Sequence, residues 1–309
     1  MELARGIASL PLSVGPTAVT IGFFDGVHRG HQAVIHRTVE VANDRGLTPV
    51  ALTFDRHPRE TLTPGNVPPL LTSMDRKAAL IQQLGVEVLT VLEFTEELSR
   101  WPPEDFVARI LVDGLKAGHA VVGSNFTFGH KAAGTLAMLS DLGEGHGFSV
   151  EGVGLLKIDG RPVSSSSIRA ALAEGDLDWP TQGLGRRFAV DGTVVKGAGR
   201  GREMGFPTAN LSVPPGMLLP AQGVYAGKAL LEDGSFLAAI NVGTNPTFGG
   251  EPLRVEAFLL EFDRDIQGEP IAIEFWDRLR DEVPFASAEE LARQIGEDVD
   301  RTRELLHTS

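Results

Sequence analysis

His28 and His31 stand three residues apart in Gly22-Phe23-Phe24-Asp25-Gly26-Val27-His28-Arg29-Gly30-His31, just where helical spacing begins. At that spacing both imidazoles share one face of a first helical turn. A helix N-terminus attracts phosphate through its free N–H groups and its dipole, and imidazoles there can donate to phosphate oxygens. Gly30 lets a ligand approach the backbone. The pair also reads as two surface histidines. A metal site is disfavoured, because the chain has no cysteine and no obvious third ligand. A serine run, Ser164-Ser165-Ser166-Ser167-Ile168-Arg169, opens another helical segment. Ser165 or Ser166 can simply cap it. Arg169, a cation in a first turn, opposes the dipole and makes more sense facing a triphosphate.

A third cluster spans Gly197-Ala198-Gly199-Arg200-Gly201-Arg202-Glu203-Met204-Gly205-Phe206-Pro207-Thr208-Ala209-Asn210. Glycines at this density let backbone N–H groups wrap an anion. Thr208 and Asn210 are two apart, so in an extended segment they share a face. A hydroxyl and an amide oxygen side by side suit a hard cation such as Mg²⁺. A plain glycine-rich hairpin loop is the competing reading. Glu256 is the one acidic residue within the apolar run Val255–Leu260. Partly buried, its carboxylate has a raised pKa and can act as a general base; turned outward on a two-sided strand, it does neither.

The elements that must position these residues change style midway. In the first half, apolar runs at Ala18–Phe24, Pro49–Phe54, Val86–Leu92, Ala120–Gly123 and Val150–Ile158 alternate with helical spacing at His31–Arg45, Asp75–Gly85 and Pro103–Leu115. That alternation predicts a Rossmann-like α/β domain with a parallel sheet. The chemistry-bearing loops, including Gly123–Gly129 with Asn125, all follow strands. That is the edge where open parallel sheets bind ligands. From Arg187 onward, short strands at Phe188–Val195, Tyr225–Leu231, Phe236–Val242, Val255–Phe262 and Ile271–Phe275 predict an antiparallel β-barrel. A C-terminal helix closes the chain, with Ser287 as N-cap and Glu290 at the capping-box position. The linker is expected at Gly175–Gly185, giving domains 1–183 and 186–309.

Length and composition agree. The 309 residues suit two domains, and 42% are hydrophobic. The net charge is −13 and both halves carry more acidic than basic residues, which argues against nucleic acid as a partner. No stretch approaches the ~20 apolar residues of a membrane helix. The N-terminus has no signal-peptide pattern, so a cytoplasmic location is expected. The spacing excludes both a P-loop and a Rossmann dinucleotide fingerprint.

The order of these motifs carries a resemblance. His-x-Gly-His within Gly22–His31 and Ser-Ser-x-x-Ile-Arg within Ser164–Arg169 are similar to the two signatures of the nucleotidyltransferase superfamily. Phe54-Asp-x-His-Pro and Gly-x-Asn-Phe-x-Phe-Gly narrow this to the bacterial bifunctional riboflavin kinase/FMN adenylyltransferase (FAD synthetase) family. Gly-x-Gly-Arg-x-x-Gly-Phe-Pro-Thr-Ala-Asn resembles the riboflavin kinase module. The resemblance implies riboflavin, FMN and FAD as substrates and products, with ATP and Mg²⁺. It implies FMN adenylyltransferase chemistry at His28 and His31, with nucleotide contacts from Gly22, Phe24, Gly30, Asn125, Ser164, Ser165, Ser166 and Arg169. It implies Mg²⁺–ATP at Thr208 and Asn210, beside Gly199, Arg202 and Gly205, and Glu256 as the base for the ribityl hydroxyl. No membrane partner is implied, and a homo-oligomer is left open. The chain departs from the family pattern at Phe258, Gln267, Ser166, Asn125 and Thr135; the first two bear on fine contacts of the kinase site.

Overall fold

A computed structural model describes residues 1–10, 15–197, 201, 205–244 and 253–306. Gly199 and Arg202 lie outside the described residues. By packing, the chain divides into two units: residues 1–68 with 72–165, and residues 69–71 with 166–309.

The first unit is built on a six-stranded, all-parallel sheet. Its strands are β1 (Glu2–Arg5), β2 (Thr17–Ile21), β3 (Thr48–Phe54), β4 (Val88–Leu92), β5 (Ala117–Gly123) and β6 (Ser149–Val153), in the order β1-β4-β3-β2-β5-β6. All five residues of β2 and of β4 are buried, as parallel strands covered on both faces require. Helix α1 (Arg29–Arg45) buries Val34, Ile35, Thr38, Val41 and Ala42, and ends at Gly46 in the left-handed region (φ 64°). The other helices of this unit are α2 (Pro58–Leu62), α3 (Met74–Gln83), α4 (Glu96–Ser99), α5 (Pro103–Phe106, continuing as a π-helix over Val107–Gly114) and α6 (Leu136–His146). Thr135 caps α6 by accepting from the Met138 N–H at 3.3 Å.

Several sequence-based bounds shift. Strand β1 is too short to have been read as an apolar run. Strand β2 stops at Ile21, because Phe24 takes the left-handed conformation (φ 53°). The run expected as one strand at Val150–Ile158 is β6 plus a short β7 (Lys157–Ile158), which pairs with β8 (Arg161–Pro162). Helix α7 begins at Ser165 itself and ends at Ala173, so Ser165 and Ser166 are first-turn residues.

In the second unit, α7 is followed not by an open linker but by α8 (Asp178–Leu184), which buries Trp179 and Leu184. Six strands then close an antiparallel barrel: β9 (Phe188–Val195), β10 (Ala209–Ser212), β11 (Gly223–Leu231), β12 (Gly234–Gly243), β13 (Arg254–Leu259) and β14 (Pro270–Arg280), in the order β10-β13-β12-β11-β14-β9. The barrel core includes Val255, Ala257, Ile240, Val242, Tyr225 and Phe275, together with Leu71, Ile168, Leu172, Leu177 and Leu184. Helix α9 (Ala288–Leu306) closes the chain. The Ser287 hydroxyl accepts from the Glu290 N–H (3.2 Å), and the Glu290 carboxylate accepts from the Ala286 N–H (3.1 Å).

Candidate active sites

Strands β2, β3 and β4 follow one another toward one edge of the sheet, whereas β5 and β6 lie on the other side of β2. The direction of winding therefore reverses between β2 and β5, and a crevice opens where their following loops diverge. A cavity of about 360 Å³ lies there, lined by Gly22, Phe24, His28, Gly30, His31, Asn125 and Ser164 among others. Seven of the residues singled out in the sequence thus share one cavity in one unit.

Its geometry follows from the turn after β2. Phe24, Gly26 and Val27 all have positive φ (53°, 80° and 40°), which folds the loop back on itself. A Cβ on Gly22 would lie 2.7 Å from the Phe24 ring, so only glycine fits beneath it. The turn is held from below. Asp25 is buried, and its Oδ1 accepts from the Thr72 N–H (3.3 Å); the Thr72 hydroxyl accepts from the Gly26 N–H (3.0 Å). Ser165 donates its hydroxyl to the Asp25 carbonyl (2.9 Å), so it braces the loop.

His28 is the N-cap of α1, and its Nδ1 accepts from the His31 N–H (3.2 Å). That bond leaves the proton of neutral His28 on Nε2. The two imidazoles stack, with centroids 3.6 Å apart and planes 18° from parallel, and Phe24 meets His31 edge-on at 5.4 Å. Burial, then the neighbouring His28 and Lys77, hold the His31 pKa well below its ordinary value. Its Nδ1 is buried without a hydrogen-bond partner. An imidazole pair at a helix N-terminus, with one polar atom of His31 unsatisfied, is suited to meet an anionic ligand.

Three expected members, Ser165, Ser166 and Arg169, are not among the residues lining this cavity. Ser166 and Arg169 pack with the second unit, where the Arg169 Nε donates to the Pro69 carbonyl (2.7 Å). One residue was missed. Lys77 on α3 is 3% exposed, and burial pulls its pKa down to about 8, against the attraction of Asp25. Its ammonium sits 4.0 Å from the centre of the Phe23 ring. A lone lysine on an amphipathic helix gives no sequence signal of burial.

In the second unit the strand alternation puts Ala209, Leu211, Val255 and Ala257 inside the barrel. Thr208, Asn210, Glu256 and Phe258 therefore face outward. They face not open solvent but a cavity of about 910 Å³, whose wall also includes Leu291, Ile295 and Asp298 of α9. Thr208 and Asn210 share a face as their spacing predicts, the Asn210 Nδ2 lying 3.5 Å from the Thr208 hydroxyl. A Cβ on Gly197 would collide with the Asn210 amide, and one on Gly201 with the Phe206 carbonyl. Gly205 has φ 86°. Glu256 is half-buried: it points away from the barrel core, yet into a cavity. Phe258 packs edge-on against Phe206 at 5.4 Å. Gln267 is not among the lining residues; its N–H donates to Asp265 in a turn. Asn241 and Glu282 line the cavity and were missed. Asn241 carries the same signal as Glu256, a polar residue inside an apolar strand.

Thr208 and Asn210 fit a Mg²⁺ site of the kind that needs only one or two protein oxygens, the rest coming from water and substrate phosphates. Among the described residues, no group of three or more acidic, histidine or cysteine side chains could hold a metal by itself.

Comparison with known proteins finds a family for each half of the chain. The family model for FAD synthetase matches residues 12–167, and that for riboflavin kinase matches residues 184–306. A bifunctional riboflavin kinase/FMN adenylyltransferase from Pseudomonas fluorescens is 37% identical over 99% of this chain and 98% of its own. One from Bacillus subtilis (strain 168) is 36% identical, covering 91% of this chain and 90% of its own. A crystal structure titled as a macrolide-efflux protein from Streptococcus pneumoniae matches with a TM-score of 0.88 and 28% identity, covering 98% of this chain and 99% of that one. In this chain, no described helix is long and apolar enough to cross a membrane. Two family models in tandem and relatives matched almost end to end place this chain in the family of bifunctional riboflavin kinases/FMN adenylyltransferases.

Proposed function

We propose that the barrel unit phosphorylates riboflavin to FMN and the sheet unit adenylylates FMN to FAD, each step consuming one ATP. The observation that carries this reading is that Gly22, His28, His31, Asn125 and Ser164 line one cavity in the first unit, while Thr208, Asn210 and Glu256 line another in the second.

In the barrel, Glu256 takes the proton of the ribityl 5′-hydroxyl as the oxygen attacks the γ-phosphorus, and ADP leaves. Thr208 and Asn210 would hold Mg²⁺ with the nucleotide. That ion, when bound, neutralises charge on the phosphates. Gly197, Gly201 and Gly205 leave backbone room beside them.

In the sheet unit, an FMN phosphate oxygen attacks the α-phosphorus of ATP and pyrophosphate leaves. Charge grows on the phosphate oxygens in that step. His28 donates from Nε2, and His31 from the ring whose Nδ1 is otherwise unsatisfied. The N-terminus of α1 adds its dipole. Asn125 and Ser164 place the nucleotide. Arg169 and Ser166 belong to this reading through the family motif alone. The same reading assigns adenylylation to residues 1–183 and kinase activity to 186–309, and sets the enzyme in the cytoplasm.

The test is direct. Purified protein with riboflavin, ATP and Mg²⁺ should produce both FMN and FAD on flavin chromatography. Unchanged riboflavin from a folded sample would sink the proposal.

A further inference from the structure

Helix α3 contributes Ile81 to a core shared with Phe24 and Val27 of the turn after β2, Ile35 of α1, Ala51 of β3 and Leu89 of β4. Lys77, one helical turn before Ile81, is buried with them. Lysine is rarely buried to this degree, and a methionine would fill the same space without taking a charge out of water. Burial pulls the Lys77 pKa down to about 8, against the attraction of Asp25, so the group is still a cation at neutral pH.

That cation rests at a defined place. Its Nζ stands 4.0 Å from the centre of the Phe23 ring, a contact that strengthens where water is excluded. His57 meets the same ring edge-on at 4.9 Å, and the Phe23 carbonyl accepts from the Thr53 hydroxyl (3.1 Å). Phe23 leads into the turn, Phe24, Gly26 and Val27 take positive φ, and His28 follows as the N-cap of α1. Two non-glycine residues at positive φ persist only where the surroundings over-determine them. Here Lys77 holds the entry at Phe23, and Thr72, just before α3, holds Asp25 and Gly26. The titratable groups around Lys77 are Asp25 of the turn, His31 of α1 with His28 stacked on it, and His57 beyond the Phe23 ring; β3 and β4 present the apolar Ala51 and Leu89 to this core. After burial and His28, the Lys77 charge is what opposes a proton on His31. A field that disfavours a proton there favours an anion.

We infer that Lys77 is a positioning residue for the adenylylation step: its ammonium, set on the Phe23 ring and drawn to Asp25, holds the turn that sets His28 and His31 against the phosphates. This rests on the reading of the two histidines as the donors.

The experiment compares K77M, F23L and the double variant H28A/H31A with the unmodified full-length enzyme. It follows FMN-to-FAD conversion across pH, with FMN formation and thermal melting on the same samples. In the unmodified enzyme, FAD formation should fall as pH rises through about 8, where Lys77 loses its charge. K77M keeps the length of the side chain without the ammonium. Its kcat for FAD formation at neutral pH should be lower on the order of 10- to 100-fold, as for misplaced catalytic groups. It should show no such basic limb, so the two enzymes converge at higher pH. FMN formation should be unchanged, and K77M should melt at or above the parent, because no charge has to be buried. A lysine with a merely structural role would not leave the variant as stable, less active and blind to that limb. If K77M does not fold, F23L carries the comparison: without the ring the buried ammonium loses its proton more easily, and the limb should move to lower pH. Unchanged FAD formation in K77M, a basic limb that persists in it, or a limb unmoved in F23L, with H28A/H31A inactive, overturns the role of Lys77. FAD formation by H28A/H31A at the parent's rate overturns the reading of the histidines and this inference with it.

Discussion

A buried ring nitrogen without a partner costs stability, and His31 Nδ1 is one. Leaving such a group unsatisfied typically costs about 1–3 kcal/mol. His31→Phe keeps a flat ring between His28 and Phe24 and removes the unsatisfied atom. It should melt at or above the temperature of the parent while FAD formation drops ~10²-fold, the usual worth of one donor to developing charge. The pH dependence gives a second check. The folded pKa of His31 lies below its ordinary 6.5, so its stability contribution is complete above pH 6.5 and lost as pH falls through the lower value. The H31F variant lacks that proton uptake, so its advantage in melting temperature should widen below pH 6.5. A variant that melts lower at every pH would show that the imidazole is structural. Glu256→Gln belongs to the same scale: it keeps size and polarity but accepts no proton. FMN formation should stop while supplied FMN is still converted to FAD, both followed by chromatography.

At the scale of elements, both sites depend on short segments whose conformation leaves little room. The turn after β2 stacks three positive φ values between Phe24 and Val27. The approach to β10 needs Gly197 bare, since a Cβ there strikes the Asn210 amide. Gly197→Ala should therefore displace Asn210 and lower FMN formation by an order of magnitude or more, through lost positioning. FMN adenylylation, in the other unit, should be unchanged. Equal activity in both reactions would show that the amide moves aside freely. The element-level reading of the sequence succeeded where periodicity is strong, as in α1 and in the capped start of α9. It missed β1 and β10, four residues each, because runs so short show no period. It also took residues 175–185 for a linker. Their place between the end of the preceding helix and the first barrel strand suggested a linker, yet Leu177, Trp179 and Leu184 among them are buried.

At the scale of the molecule, the boundary of packing and the boundary of the motifs differ. The barrel core takes in Ile168, Leu172, Leu177 and Leu184, all before residue 186. Removing a single buried Leu or Ile side chain typically costs about 2–5 kcal/mol, and whole domains are stable by only about 5–15. A fragment of residues 186–309 should therefore melt well below one of residues 166–309, or fail to fold, by circular dichroism. Equal melting would mean that α7 and α8 lie on the barrel without supporting it. Replacing His28 and His31 together by Ala should abolish FAD but not FMN, the mirror of Glu256→Gln. Loss of both reactions in either folded mutant would point to one composite site.

The sequence by itself determined the two architectures and the two motif sets, because each rests on local spacing: three residues on a helix, two on a strand, glycines where backbone must come close; the order of those motifs carried the family resemblance. It also determined that Thr208 and Asn210 share a face. Only the tertiary structure decided what those faces meet. Glu256 was readable as buried or outward, and it is outward yet enclosed, because α9 stands over that wall of the barrel. Asn241 and Glu282 reach the same cavity from a different strand and from the segment before α9, Asn241 by register and Glu282 through the missing side chain of Gly243. Lys77 and Thr72 come to the turn after β2 from some fifty residues away in the chain. Periodicity reports which side of its own element a residue occupies; what stands opposite is settled by contacts distant in sequence.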